Sequence, residues 1–250
     1  MANAARALAF QGMRALTVAQ ETTANKILAA LSPADFALLA PHLSPVDLPV
    51  RRQMEMRNRR IDYIYFLEAG IGSVVISAGS NHSIEVSILG NEGMTGLPVI
   101  LESDRALHET FMQSAGYGWR IGVEQFRKAL KASAGLRTVM LHYAHTMVSQ
   151  MAFTALANGR YRVEERLARW LLMASDRTDD NVIALTHESL STMLGVRRPG
   201  ITDAMNEFER RGILTARRGA IEILDRLALE EAANGSYGGP EAEYQRLFGA

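Results

Sequence analysis

The sequence predicts an α+β protein with an N-terminal antiparallel roll of short strands, a long helix, and two short helices followed by a hairpin. Six short strand-like runs, separated by glycine-rich turns, lie between residues 46 and 122. A continuous helical pattern follows over residues 136–158. Residues 185–211 then hold two amphipathic patterns that meet at Gly195. These three patterns, in this order, define the predicted architecture.

Composition limits the protein class before any motif is considered. The chain has 250 residues, 48% of them hydrophobic, which suits two modest globular domains. Because cysteine is absent, disulfides, thiolate zinc sites and cysteine-ligated iron–sulfur clusters are excluded. No apolar run reaches the length of a membrane span, and Arg6, Gln11 and Arg14 interrupt the N-terminus as a secretory signal. We therefore expect a cytoplasmic protein.

The strand-like runs are evenly spaced and bounded by glycines, which is typical of an antiparallel roll. The whole chain then divides into five predicted parts: a flexible extension (1–18), the roll (19–134), the long helix (135–158), a C-terminal domain (159–232) and a flexible tail (233–250). The predicted strands of the roll cover residues 46–50, 61–67, 72–77, 83–89, 110–115 and 117–122.

The long helix is apolar on two faces, so it has to be covered on two sides. We predict that one side packs on the roll and the other on a second copy of the chain. The alternative is a helix buried wholly within one subunit. A second apolar face holds Leu141, Ala144, Val148 and Ala155. The predicted dimer contacts are Leu136, Met140, Tyr143, Met147, Met151 and Thr154.

Residues 185–211 predict two helices joined by a tight turn. Thr186 can cap the first helix, and Gly195 suits the left-handed conformation that ends it. Pro199 stands in the first turn of the second helix, where its missing N–H costs nothing. The expected buried residues recur at helical spacing: Leu190, Met193 and Leu194 in the first helix, and Ile201, Met205 and Phe208 in the second.

A basic hairpin is predicted directly after these helices. Two β-prone runs flank residues 216–219, and residues 195–219 carry six arginines against three acidic residues, although the net charge of the chain is zero. This order of elements indicates a winged helix-turn-helix that binds DNA; the alternative is an ordinary helical hairpin with solvated arginines. Candidate DNA contacts are Thr186, His187, Arg197, Arg198, Gly200, Thr202, Asp203, Asn206, Arg217 and Arg218.

The order of roll, long helix and winged domain resembles the Crp/Fnr superfamily over about residues 20–232. The resemblance rests on residues 65–75 (YFLEAGIGSVV) and 185–205. It implies a jelly roll like a cyclic-nucleotide-binding domain and a homodimer that regulates transcription from a near-palindromic DNA site. It also implies RNA polymerase as a further partner.

The positions that hold a cyclic nucleotide in that family depart from the pattern here. Gly96-Leu97 stands where the family has Gly-Glu, and His108-Glu109 stands where it has Arg-Ser or Arg-Thr. Leucine cannot accept a hydrogen bond from a ribose hydroxyl, and a carboxylate repels a phosphate. We therefore expect no control by cyclic AMP, although Arg105 could replace the missing cation and leaves that alternative open. The candidate effector pocket is Gly96, Leu97, Arg105, His108, Glu109 and His142.

Two further sequence features bear on function. His142 and His145 share one helix face, but a metal or haem site needs more ligands than these two, so no cofactor or metal is predicted. Pro199 and Asp203 replace a glutamate and an arginine of the catabolite-activator pattern, which predicts a half-site other than the TGTGA type.

Two other function classes compete with a DNA-binding regulator. One is a small-molecule-binding protein, of a cyclic nucleotide for example, that uses the winged domain for protein docking. The other is an enzyme, which we do not predict because no nucleophile elbow or phosphate loop is present in the sequence.

Overall fold

The computed structural model describes residues 18–78, 83–178, 182–217 and 219–249. Two compact units contain them. The first comprises residues 18–74, 89–147 and 246–249, and the second comprises residues 75–88 and 148–245. The predicted α+β class is confirmed. Among the described residues, no helix has both the length and the apolar character to cross a membrane.

Short helices open the first unit. They are a 3-10 turn (Gln20–Thr22), α1 (Lys26–Ala29), α2 (Pro33–Leu39) and a second 3-10 turn (Ala40–His42). Ser32 caps α2 by accepting the Asp35 N–H at 3.1 Å. The buried Asn25 side chain donates to the carbonyls of Leu67 at 2.8 Å and Gly93 at 2.9 Å. This amide therefore ties the helical entry to the sheet.

The sheet contains β1 (Ser44–Leu48), β2 (Gln53–Glu55), β3 (Tyr63–Ser77), β4 (Ser83–Leu89) and β5 (Glu109–Gly122). Its strand order is β1-β5-β3-β4, and β2 also pairs with β5. β1 runs antiparallel to β5, with Ser44 opposite Arg120 and Leu48 opposite Gly116. The short helix α3 (Leu97–Ile100) lies between β4 and β5.

Glycine does not interrupt the long strands where the sequence predicted it would. The predicted strands 61–67 and 72–77 form the single strand β3, and 110–115 and 117–122 form the single strand β5. Gly70 continues β3 at a positive φ of 88°. A Cβ on Gly116 would lie 1.9 Å from the carbonyl oxygen of Ala69. The glycines therefore allow two long strands to approach closely instead of marking turns.

Two helices follow the sheet, and the second of them continues from the first unit into the second. α4 (Val123–Ala132) buries Phe126, whose ring meets Phe66 edge-on at 6.3 Å. α5 (Ala134–Arg160) is the predicted long helix, slightly extended at both ends. The buried Tyr143 hydroxyl donates to the Met94 carbonyl at 2.7 Å and accepts the Met94 N–H at 3.0 Å. This face of α5 therefore belongs to the core of the first unit.

The second unit contains the predicted helix-turn-helix and hairpin. Its elements are helices and a three-stranded sheet of order β6-β8-β7. They are α6 (Val163–Ser175), β6 (Val182–Ile183), α7 (His187–Leu194), α8 (Arg198–Arg210), β7 (Leu214–Arg217), β8 (Ala220–Ile223), α9 (Arg226–Ala232) and α10 (Gly239–Phe248).

The segment after α9 is ordered by contacts within its own unit, although the sequence predicted a flexible tail over 233–250. Arg169, which is 3% exposed, donates to the Ser236 carbonyl at 3.2 Å and to the Gln150 carbonyl at 3.4 Å. Burial lowers the pKa of Arg169. A Cβ on Gly239 would lie 2.5 Å from the Phe153 ring. The glycine-rich composition that indicated flexibility instead permits this close packing and the start of α10.

Candidate nucleic-acid interface

The turn between α7 and α8 has the predicted geometry. Thr186 accepts the Ser189 N–H at 3.1 Å and caps α7. Gly195 ends α7 in the left-handed region, at a φ of 61° and a ψ of 33°. The Val196 N–H then returns to the Ser191 carbonyl at 3.0 Å, so the last turn of α7 is closed before α8 begins.

α8 buries one face and exposes the other. Ile201, Ala204, Met205 and Phe208 are buried, which confirms the predicted core residues of this helix. The exposed positions in its N-terminal half are Arg198, Pro199, Asp203 and Asn206, directly after the exposed Arg197; Gly200 and Thr202 are half-buried. Pro199 lies in the first turn, as predicted. Most of the candidate base-reading residues are therefore accessible.

Candidate residues from three separate segments line one groove of about 350 Å³. Thr186 and His187 come from the start of α7, Arg198 from the first turn of α8, and Arg217 from the end of β7. The half-buried His187 lies 3.5 Å from the Thr202 hydroxyl, measured from Nδ1 to Oγ1. Two exposed arginines, one exposed carboxylate (Glu188) and the capped N-terminus of a helix thus line one concave surface, and the arginines and the helix N-terminus favour a polyanion there. Arg218 lies outside the described residues.

Two supporting residues escaped the sequence analysis. Arg166 on α6 donates to the carbonyl of Leu194 at the end of α7, and burial lowers the pKa of Arg166. Glu209 near the end of α8 accepts the Ala216 N–H at 2.7 Å and so fixes β7 against α8. In the sequence, both residues look like charged side chains on the solvent-exposed face of an amphipathic helix. No local pattern indicates that their hydrogen-bond partners lie in other elements.

The candidate effector residues do not all meet. Gly96 and His108 share one buried partner, Glu55, which accepts the Gly96 N–H at 2.9 Å and lies 3.2 Å from His108 Nε2. Leu97 begins α3. Arg105 lies on an exposed loop, with its Nε 3.7 Å from Asp104 Oδ1. Glu109 begins β5 and His142 lies on α5; both side chains are half-buried.

Four of the predicted dimer contacts on α5 require correction. Leu136 and Met140 are 0% exposed, Tyr143 is 2% and Met147 is 5%, so these side chains pack inside their own chain. Met151 and Thr154 are half-buried, and the Thr154 hydroxyl accepts from Arg169 at 3.3 Å. The apolar residues that α5 leaves exposed belong to the other face, including Leu141 at 45% and Val148 at 53%. The sequence showed two apolar faces but gave no sign of which one the sheet covers.

A family model matches part of the second unit. Residues 165–232 match the model of the Crp-like helix-turn-helix domain. A comparison with curated proteins gives no significant match.

Solved structures resemble a larger part of the chain. A protein from Eubacterium rectale, assigned to the crp/fnr family of transcriptional regulators, has a TM-score of 0.66 at 21% identity; 84% of this chain and 98% of that chain are covered. A CRP-family regulator from Thermus thermophilus gives 0.63 at 16%, covering 77% and 98%. The c-di-GMP-responsive global regulator CLP of Xanthomonas campestris gives 0.60 at 14%, covering 77% and 99%. At these identities the likeness shows that the chain has the Crp/Fnr fold.

Proposed function

We propose that this chain, with its Crp-like helix-turn-helix domain and Crp/Fnr fold, is a homodimeric transcription regulator that binds specific DNA without control by cyclic AMP. The observation that carries the proposal is the groove in which Thr186, His187, Arg198 and Arg217 lie together. In a winged helix-turn-helix, the N-terminal end of the second helix enters the major groove of the DNA. Arg198 stands at that end of α8.

The exposed face of α8 favours a particular set of base contacts. A guanidinium such as that of Arg198 donates two parallel hydrogen bonds to a guanine edge. An amide such as that of Asn206 pairs with adenine, and a carboxylate such as that of Asp203 accepts from the amino group of cytosine. Pro199 offers no polar side-chain atom. We therefore expect a half-site that contains guanine opposite Arg198 but differs from the TGTGA type.

The remaining groove residues are proposed to hold the DNA backbone. Arg217 is exposed at the end of β7, and the first turn of α7 offers backbone N–H groups beside Thr186. Such contacts set the position of the protein on the duplex and contribute affinity through counterion release. Arg218 is included in this proposal because it follows Arg217 in the sequence.

Homodimerisation is proposed through the exposed face of α5, which we call the α5 seam. Its members recur at alternating spacings of three and four residues, the period of a two-stranded coiled coil. Alanines in such a repeat permit close approach of two helices. In a parallel pair, the two α8 helices would meet the DNA one helical turn apart, as a near-palindromic site requires. The α5 seam consists of Thr138, Leu141, His145, Val148, Ala152 and Ala155.

Substitution of Arg198 tests the proposed DNA function. Genomic fragments are first selected with the full-length protein, and the affinity for the recovered palindrome is measured by fluorescence anisotropy. Arg198→Ala should weaken specific binding by about 2–6 kcal/mol per dimer, since each bidentate contact contributes about 1–3 kcal/mol. Binding to unrelated DNA should change little.

Arg217→Ala should instead reduce the slope of log K against log salt by about 2 per dimer, because Arg217 is proposed to contact a phosphate.

Arg210→Ala is the matched control for these variants. Arg210 is an exposed arginine of the same helix, ion-paired with Glu207 at 2.7 Å at the C-terminal end. The Arg210→Ala protein should bind the palindrome with the same affinity as the wild type. Recovery of no palindromic site at low salt, together with an Arg198→Ala protein that binds as the wild type does, would count against a regulator and favour a docking role for the winged domain.

Cyclic nucleotides give a second test. Cyclic AMP or cyclic GMP at millimolar concentration should change neither the melting temperature nor the DNA affinity, because Leu97 cannot accept from a ribose hydroxyl and Glu109 repels a phosphate. A ligand at a hundred times its Kd would stabilise the protein by about 2.7 kcal/mol, a clear shift in a thermal scan. Stabilisation of that size by either nucleotide would refute the assignment of these positions.

A further inference from the structure

The candidate effector region contains a buried carboxylate that no sequence motif indicated. Glu55 ends β2, and its side chain is 2% exposed. One carboxylate oxygen accepts the Gly96 N–H at 2.9 Å. The other accepts the Thr110 hydroxyl at 2.5 Å and lies 3.2 Å from His108 Nε2. Three polar groups from three positions in the first unit therefore converge on one carboxylate.

These groups together form the kind of environment that binds a small anion. A backbone N–H, a hydroxyl and an imidazole N–H can each donate to a carboxylate or phosphate oxygen. Here an anion is already present and is covalently part of the chain. Because it is tethered, it competes with a dissolved anion at a high effective concentration.

The space beside Glu55 is also filled. A Cβ on Gly96 would lie 2.1 Å from Ile64 Cδ1, so the Ile64 side chain lies directly against the glycine. The Thr95 N–H donates to the Tyr65 carbonyl at 2.9 Å, and the Tyr65 N–H donates to the Thr95 hydroxyl at 3.0 Å. These contacts hold the backbone before α3 against β3. Rearrangement to admit a ligand at Gly96 would break them.

We propose that the Glu55 carboxylate takes the place of an anionic effector in the roll, so that Gly96, His108 and Thr110 form a closed structural site and not a sensor. The inference rests on the proposed function only in treating this region as the effector site. The proposal names Glu55 as the group that fills the site. It also explains why anionic ligands should not bind there even if Arg105 could supply a cation.

Chemical rescue tests this occupancy without any DNA. Glu55→Ala removes the carboxylate and leaves the Gly96 N–H, the Thr110 hydroxyl and His108 around a cavity. We expect its melting temperature to fall by several degrees and to recover at least half of that loss in about 100 mM acetate or formate, compared with chloride at equal ionic strength. Titration with ¹³C-labelled acetate should show one saturable site.

Two control variants separate this effect from a general salt response. Glu55→Gln keeps the volume of the side chain, so it leaves no cavity and should show no acetate rescue. Met54→Ala removes a buried apolar neighbour, 8% exposed, and leaves no additional donors, so it should be destabilised without rescue. Equal recovery of all three variants in acetate, or a folded Glu55→Ala protein that binds no acetate, would overturn the proposal.

The wild type provides a measurement that does not depend on the folding of any variant. Hydrogen exchange at the Gly96 amide should be slow and unchanged by 100 mM acetate, 10 mM inorganic phosphate or 1 mM cyclic AMP. Protection of this amide by any of these ligands would show that the site is open and would overturn the proposal. A failure of DNA binding would leave both readouts unaffected, so the two proposals can fail separately.

Discussion

Replacing Val148 by glutamate should give a monomer that has lost tight operator binding. Val148 is 53% exposed in the α5 seam, so the change removes no core packing. In a parallel pair, the two glutamates would face each other across the twofold axis. Loss of two apolar contacts and the repulsion of like charges should weaken the dimer by about 3–5 kcal/mol. Operator affinity should then fall at least a hundredfold, because a monomer engages one half-site at a time.

Sedimentation velocity at micromolar protein, combined with anisotropy on the selected palindrome, measures both effects. Leu107→Glu is the matched control, since Leu107 is 70% exposed but lies outside the α5 seam. This control should remain dimeric and bind DNA normally. A Val148→Glu protein that still sediments as a dimer would rule out the α5 seam as the subunit contact.

Gly116→Ala should strongly destabilise the sheet. The new Cβ would lie 1.9 Å from the Ala69 carbonyl oxygen and 2.9 Å from the Gly70 Cα. Both contacts are with backbone, which cannot rotate away, so β3 and β5 would have to separate. We expect a loss of at least about 3 kcal/mol in the free energy of unfolding, measured by urea denaturation at fixed protein concentration.

Gly72→Ala provides the comparison within β3. Its Cβ would meet the ends of two flexible side chains, Leu89 Cδ1 at 3.1 Å and Met54 Cε at 3.3 Å. These can shift by a few tenths of an ångström, so a loss of about 1 kcal/mol or less is expected. If the two variants lost similar amounts of unfolding free energy, the close approach of β3 and β5 at Gly116 would not be what makes an added methyl group destabilising.

The sequence was most informative where structure depends on local chemistry. A cap at Thr186, a left-handed residue at Gly195 and a proline in the first helical turn each act within a few residues, and all three were predicted correctly. The sequence was least informative where a residue acts across strands. The chain uses Gly70 and Gly116 to bring β3 against β5, and a single strand pattern cannot distinguish that use from a turn.

The candidate DNA-binding residues could be predicted from a local motif, whereas the surroundings of Glu55 could not. The arginines of α8 and β7 stand in a recognisable motif, so their common groove follows from the motif itself. Glu55 looks like an ordinary polar position in a short strand, because the groups it binds are 41 to 55 residues away. On α5, the sequence does not distinguish the two apolar faces, and the burial of Leu136, Met140 and Tyr143 shows which one packs inward.

Arg169 extends the folding unit beyond the matched domain. Its guanidinium depends on the carbonyls of Gln150 and Ser236, which lie outside residues 165–232. Trp170 likewise donates to Glu85 at 2.5 Å. An excised 165–232 fragment would lack these three acceptors and would expose the Arg169 guanidinium and the Trp170 indole N–H to water. Because residues 75–88 are separated in the chain from the rest of the unit, a segment that starts at residue 148 also lacks part of the unit.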